Sequence, residues 1–386
     1  MPIIREGDNI IDMVVNNVIS ASQDKEWGWT IRDRDIIAVT ESIVARAQGN
    51  YATIFDIALD VADKFGEIET IGVVFPILSR NRFAPCLEGI ALAAKEVVIQ
   101  FSFPTDEMGN EIFPRDSVDD LPLYFELDDY YAHFKDFVHP FTGINYVDYY
   151  KWIVEGHGAS CRIIFCNEPT AILNYTRNVL CCDIHTLPQT IKKLQSYSNK
   201  VCDSKIYGIN QILSTPTTQC GYNEKYGLLG SNKAATNSIK LFPRDGQYIV
   251  DGIQQKIFER TGKRIEVLIY GDGAYKDPYS GIWEWADPVV APFYTKGLEG
   301  TPNELKIKYL ADNMCDNLDG WVLEDKIKGF IRTKKADLVG QMNSEGTTPR
   351  HLTDLVGSLC DLTSGSGDKG TPVVYIQGYF DNYSSD

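Results

Sequence analysis

Residues 34–49 read Arg34-Asp35-Ile36-Ile37-Ala38-Val39-Thr40-Glu41-Ser42-Ile43-Val44-Ala45-Arg46-Ala47-Gln48-Gly49. A charged turn leads into four apolar residues in a row, which is the pattern of a strand buried on both faces. Polar and apolar residues then recur at helical spacing as far as Gly49-Asn50, a good helix stop. Upstream, Ile10, Ile11, Val14, Val15, Val18 and Ile19 mark one face of a helix over 8–21. Downstream, a helix over 53–65 closing at Gly66 and a strand ending Val73-Val74-Phe75-Pro76 follow.

The same reading continues with a helix over 86–96, a strand over 97–103, short strands at 161–166 and 178–182, and a helix over 187–198. A polar loop over 214–238 precedes Ile239-Lys240-Leu241-Phe242-Pro243. A helix over 247–260 ends at Gly262, and the strand Ile265–Tyr270 runs into Gly271-Asp272-Gly273. Helices over 302–314, 321–330 and 351–362, a Gly/Ser loop and the strand Pro372–Gln377 complete the chain. Strands and helices mix without a regular βαβα repeat, which predicts an α+β fold rather than a doubly wound sheet. Residues 104–150, dense in Asp, Glu, Tyr and Phe, read as a surface excursion or substrate-selecting lid rather than core.

The 386 residues carry 37 basic and 53 acidic side chains, a net charge of −16. No Lys/Arg run offers the basic face that phosphate contacts require, so nucleic acid is not an expected partner. No apolar run reaches the ~18 residues a bilayer demands, and Met1-Pro2-Ile3-Ile4 runs straight into Arg5-Glu6-Gly7-Asp8 with no apolar leader. Nine cysteines, an odd number spread along the chain, argue against a disulfide framework. A cytoplasmic location is expected.

Asp272 is the strongest candidate for chemistry. It leaves a buried strand between two glycines, where a carboxylate is held rigidly and a phosphate or a metal can approach the backbone. Asp277 lies close behind, and Mg²⁺ or Mn²⁺ favours such oxygen ligands. The plain alternative is a turn aspartate capping local N–H groups. Ser364-Gly365-Ser366-Gly367-Asp368-Lys369-Gly370 contains G-x-G-x-x-G, but after a helix and before a strand, the reverse of a dinucleotide site. Such a loop wraps phosphates with backbone N–H groups or serves as a flexible connector. His157, Cys161, Cys166, Cys181, Cys182 and His185 match no zinc spacing, and the thiols read as packing groups.

Six pieces, in order, resemble one family, the coenzyme F420-0:L-glutamate ligases. They are Met1–Asp8, residues 34–49 against a strand followed by KIVSKAEG, Gly227-Leu228-Leu229-Gly230-Ser231-Asn232 against GIDxSN, Leu241-Phe242-Pro243-Arg244-Asp245 against LLPxD, the strand into Gly271-Asp272-Gly273 against ISDTFGRP, and Leu352–Gly378 against the last helix, glycine loop and PVxxVRG strand. Residues 104–220 match none of these motifs, and 104–160 reads as a family-atypical insertion or lid.

The resemblance implies two intertwined α+β subdomains with mixed sheets. The N- and C-terminal segments share one of them, in a single ligase-like unit over 1–386 that forms a homodimer. It implies that GTP, or ATP, phosphorylates a small-molecule carboxylate with Mg²⁺ or Mn²⁺ and that the amino group of an amino acid, L-glutamate in the family, forms the amide. By position, Ser42, Arg46, Asn232 and the loop residues Ser364, Gly365, Ser366, Gly367, Lys369 and Gly370 would meet the nucleotide. Asp272 would bind metal, and Asp277 or Glu224 would replace a missing ligand; no catalytic residue is assigned. Arg46 stands at a family lysine. The family's first metal aspartate falls on Leu229, which cannot ligate a cation, the threonine after Asp272 falls on Gly273, and the loop glutamine falls near Ser366. Leu229 also keeps open a second reading, a non-catalytic nucleotide- or metabolite-binding descendant, and a third is a phosphohydrolase using Asp272.

Overall fold

The computed structural model describes residues 1–117, 121–201, 203–271, 275–276, 283–284, 291–301, 303–315, 318–335, 338, 340–344, 351–364, 371–382 and 384. The chain opens with α1 (Ile10–Ser22), β1 (Ile36–Thr40), α2 (Glu41–Ala47), β2 (Tyr51–Thr53) and α3 (Ile54–Phe65). Local chemistry sets the helix starts. Asn9 accepts the Asp12 N–H to begin α1, and Thr53 and Asp56 form a reciprocal capping box at α3.

The middle of the chain gives β3 (Thr70–Val74), α4 (Phe83–Ala93), β4 (Glu96–Phe101), β5 (Tyr124–Glu126), α5 (Leu127–Phe134), α6 (Tyr146–Gly156), β6 (Ser160–Cys166), β7 (Asn178–Cys181), α7 (Leu187–Val201) and β8 (Lys205–Gly208). These strands form one six-stranded sheet, ordered β5-β6-β4-β3-β7-β8, in which only β5 is antiparallel to its neighbour. The mixed α+β class holds for the whole chain, yet this segment is a run of parallel strands with helical crossovers that the sequence reading did not expect. Successive strands step outward from β3 to β4 and β6, and then the path returns to β7 on the other side. That reversal makes β3/β7 a topological switch point.

Residues 104–150 are not surface cover, as the sequence suggested. Phe113, Phe125, Tyr130 and Tyr150 are fully buried, and Phe125 and Tyr130 stack on Phe165 of β6 with ring centroids 4.7 and 5.1 Å apart. The segment is the β4–β6 crossover. Its aromatics alternate with charges because they face a core on one side and water on the other, and an unfamiliar spacing hid that face.

The last third supplies β9 (Asn232–Ala235), β10 (Ser238–Lys240), α8 (Gly246–Thr261), β11 (Glu266–Tyr270), the short pair β12 (Tyr275–Lys276) and β13 (Trp283–Glu284), β14 (Phe293–Tyr294), α9 (Ile307–Met314), α10 (Gly320–Thr333), α11 (Leu352–Ser364) and β15 (Val373–Ile376). β2, β10 and β9 make a small antiparallel sheet. The remaining sheet runs β14-β11-β1-β15, with β1 parallel to β11 and antiparallel to β15, so strands from opposite ends of the chain pair directly.

Alternation of side chains divides that sheet's two faces. Ile37, Val39, Val267 and Ile269 pack under α1 and α8, whereas Ile36, Ala38, Leu268 and Tyr270 pack with Val356 and Cys360 of α11. The described cysteines are free thiols.

Tyr150 ties the crossover to β3. Its hydroxyl donates to Ile77 O at 2.6 Å, away from water, and accepts from half-buried Ser79 N at 2.9 Å. Tyr150→Phe strands these backbone groups and is expected to lower the stability by about 2 kcal/mol, read as a lower urea midpoint with an unchanged slope.

Candidate functional site

β1 ends at Thr40, and three chain segments meet there. Thr40 pairs with Tyr270 at the end of β11, and buried Gly271 follows. On the other side Thr40 N donates to Pro372 O at 3.0 Å, just before β15. The described ends of the Gly271–Gly273 corner and of the C-terminal glycine loop therefore flank one residue. Asp272, Asp277, Gly365, Ser366, Gly367, Lys369 and Gly370 themselves lie outside the described residues, and Ser364 closes α11.

Glu41 begins α2 at this edge and is only 2 % exposed. Its carboxylate accepts from Thr40 Oγ1 at 2.9 Å and from Lys240 Nζ at 3.4 Å. The same ammonium donates to Ser42 Oγ at 2.7 Å. Lys240 arrives by strand alternation: in β10, Ile239 points into the core of the six-stranded sheet, and its neighbour faces the opposite way, toward α2. Across the ladder Lys240 pairs with Asn232, and directly opposed residues share a face. Ser42 and Asn232, widely separated in sequence, are thus linked through one lysine.

Arg46 lies four residues beyond Ser42, on the same helix face one turn away, with its side chain exposed. It belongs to the rim rather than to the buried cluster.

Residues 227–232 are shaped by their glycines. Gly227 has φ +50°, and a Cβ there would lie 2.3 Å from Ile212 O. Gly230 has φ +77°. Leu229, between them, packs with the Tyr226–Phe242 pair, so the position that the motif gives to a metal ligand is spent on packing. Glu224 is exposed on the preceding turn. Among the described residues no group of three His, Cys, Asp or Glu side chains is placed to hold a metal ion.

Two buried asparagines hold the surrounding loops in place. Asn50 donates to Phe242 O at 2.8 Å and accepts from Tyr222 N at 3.1 Å; Asn223 donates to Phe242 O and Pro243 O and accepts from Tyr226 N at 2.8 Å. Gln48 accepts from Arg244 N at 2.8 Å, which fixes Leu241–Asp245 against the end of α2.

Glu41 and Lys240 are the site residues that sequence reasoning missed. The available signal was a single cation inside the apolar run Ile239–Phe242 and an acid directly after a wholly buried strand. Each is costly to bury alone, and together they imply a partner.

A family model matches residues 1–378, nearly the whole chain. The chain belongs to the F420-0:gamma-glutamyl ligase family. The ligase-family match extends across 104–220, where the motifs above have no counterpart. No curated protein matches the chain. In this family member no helix among the described residues is long and apolar enough to cross a membrane.

Lys240→Met removes the Lys240 cation from buried Glu41 and is expected to destabilise the fold. Adding Glu41→Gln should restore most of the loss. A thermal-melt double-mutant cycle measures this directly, and additive losses would mean that the pair does not interact.

Proposed function

We propose that this member of the ligase family joins an amino acid to a small-molecule carboxylate by a γ-glutamyl-type amide bond, using a nucleoside triphosphate and a divalent cation and passing through an acyl phosphate. The observation that carries the reading is the meeting of Thr40–Ser42, Lys240, Asn232, Gly271 and Pro372 at one strand edge, in a chain of this family.

The chemistry explains the need for such an edge. A carboxylate is a poor electrophile until one oxygen becomes a leaving group, and phosphorylation makes it one. The nucleotide's γ-phosphorus is attacked by a substrate carboxylate oxygen, and the bond to the bridging oxygen of the diphosphate breaks. The amine nitrogen then forms the amide bond as the acyl C–O bond to phosphate breaks, with loss of a proton. In this reading Lys240 and Ser42 donate to phosphate oxygens and Asn232 orients the nucleotide.

Arg46 and the loop Ser364–Gly370 supply outer contacts. Mg²⁺ or Mn²⁺, when bound, would offset phosphate charge. The described residues do not by themselves furnish its ligands, so Asp272 and Asp277 are proposed for that role. GTP is the proposed nucleotide, with ATP as the alternative, and the working form is proposed to be a cytoplasmic homodimer. The 104–160 segment, which carries the β4–β6 crossover, is proposed to bear on acceptor choice.

The packed Leu229 favours a second reading, a non-catalytic binder of nucleotide or metabolite. Incubation with GTP or ATP, Mn²⁺, L-glutamate and a panel of carboxylates separates the two. Nucleoside diphosphate release that needs both amino acid and carboxylate is expected; saturable nucleotide binding without release would establish the binder instead, and release without an acceptor would mark a hydrolase. Asp272→Ala should abolish metal-dependent binding; unchanged affinity would remove Asp272 from the reading. Lys240→Met with Glu41→Gln should weaken nucleotide binding about tenfold, the scale of one charge-assisted hydrogen bond.

A further inference from the structure

Residues 103–112 form a strap over the C-terminal edge of the six-stranded sheet. Asn167 secures its base, accepting from Phe103 N and donating to Phe103 O, each at 2.8 Å, and a bridge between Thr105 and Glu111 closes it. The tip carries two adjacent carboxylates that reach in different directions. Asp106 accepts the N–H of Leu78, beyond β3, at 2.8 Å. Glu107 accepts the N–H groups of Ile184, His185 and Thr186, in the turn beyond β7.

β3 and β7 are the switch-point neighbours, where parallel sheets open a crevice to ligands. Here Ile77 and Ile184, beside and at the two anchor points, line a narrow cleft that runs to Leu228–Ser231. The strap therefore ties both walls of that cleft together.

The tie contains a proton deficit. Thr186 Oγ1 lies 3.1 Å from Glu107 Oε2 and 2.7 Å from Asp183 Oδ2. A hydroxyl has one hydrogen to give. If it serves Asp183, which also accepts from Thr190 at 2.6 Å, its oxygen faces Glu107 and needs a donor there. A protonated Glu107 is that donor. Asp183 is 1 % exposed, so water cannot readily spread the charge of two ionised carboxylates.

Burial and the neighbouring Asp183 push the Glu107 carboxyl up to about 7, and burial also raises Asp183 and Asp106. Among the described residues no cation is paired with Glu107 or Asp183. His185 is held neutral by burial, its pKa pushed down to about 4. Cys182 stays a thiol, Tyr150 of α6 faces Asp106 with its hydroxyl proton retained, and Arg82 stands in the cleft wall.

We propose that the strap is a pH-sensitive latch in which a proton on Glu107, bonded to Asp183 through Thr186 Oγ1, holds residues 103–112 to the turn beyond β7, and loss of that proton frees the cleft wall at Ile184 and opens the cleft beside Leu228–Ser231. The sign follows from the raised carboxyl. The folded form binds the extra proton, so the closed latch is fully supported below the ordinary glutamate value of 4.5 and loses that support as pH climbs through about 7. The latch is independent of whether the chain turns over nucleotide.

Cys86 and Cys182 line the cleft and are each 1 % exposed, which makes them reporters of its opening. The full chain is treated with a small methanethiosulfonate, and modification of each thiol is followed by peptide mass. Glu107→Gln serves as the reference, because it is neutral at every pH and offers amide hydrogens where the protonated acid has its own. Taking the ratio of wild-type to Glu107→Gln rates cancels the thiols' own ionisation. The expected ratio is near unity at about pH 6 and about tenfold at about pH 8.5, well within what a raised carboxyl of this kind can supply. A ratio that stays flat with pH overturns the latch. Should Glu107→Gln fail to fold, judged by circular dichroism, wild-type hydrogen-exchange protection factors of the Ile184, His185 and Thr186 amides take its place: about a tenfold fall from about pH 6 to about pH 8.5 is expected, and protection that stays flat with pH overturns the latch.

Discussion

β1 is buried on both faces and bonded along both edges, and the rest of the molecule is arranged to keep it so. A strand in that position has no water to satisfy its N–H and C=O groups, so it must have a neighbour on each side. β11 and β15 are those neighbours, and they come from the last third of the chain. Folding the N-terminal strand therefore requires the C-terminal segment. The ends of β1, β11 and β15 arrive together at Thr40 as a consequence.

That edge is also where charge is taken out of water. Glu41 and Lys240 are both shielded, and each offsets part of the other's cost of burial. Their pairing joins α2 to the small sheet of β2, β10 and β9, and it draws Ser42 and Asn232 to one place. In the proposed function this pairing is preorganisation: the donors are held in position before an anionic ligand arrives.

A second edge, on the six-stranded sheet, is managed differently. Its switch point is crossed by the 103–112 strap, whose carboxylates Asp106 and Glu107 satisfy backbone N–H groups on both sides. The family motif at 227–232 lies between the two edges. Asn232 faces Lys240 on one side, and Leu228–Ser231 line the cleft on the other. Gly227 turns against Ile212 O where a Cβ would not fit, and Gly230 takes a positive φ, so the glycines make that double use possible.

By itself the sequence determined the local elements: the buried strand Ile36–Thr40, the helix face of Ile10–Ile19, the helix over 247–260, the glycine stops, and the motifs that lead to the family. These depend on periodicity and on neighbours within a few residues, which a linear reading sees. Only the tertiary structure decided that Lys240 meets Glu41 and Ser42, that Leu229 is a packing residue, and that Phe113, Phe125, Tyr130 and Tyr150 are core. Those facts depend on pairings between distant segments, where register and crossover order choose the partner, and no local pattern encodes that choice.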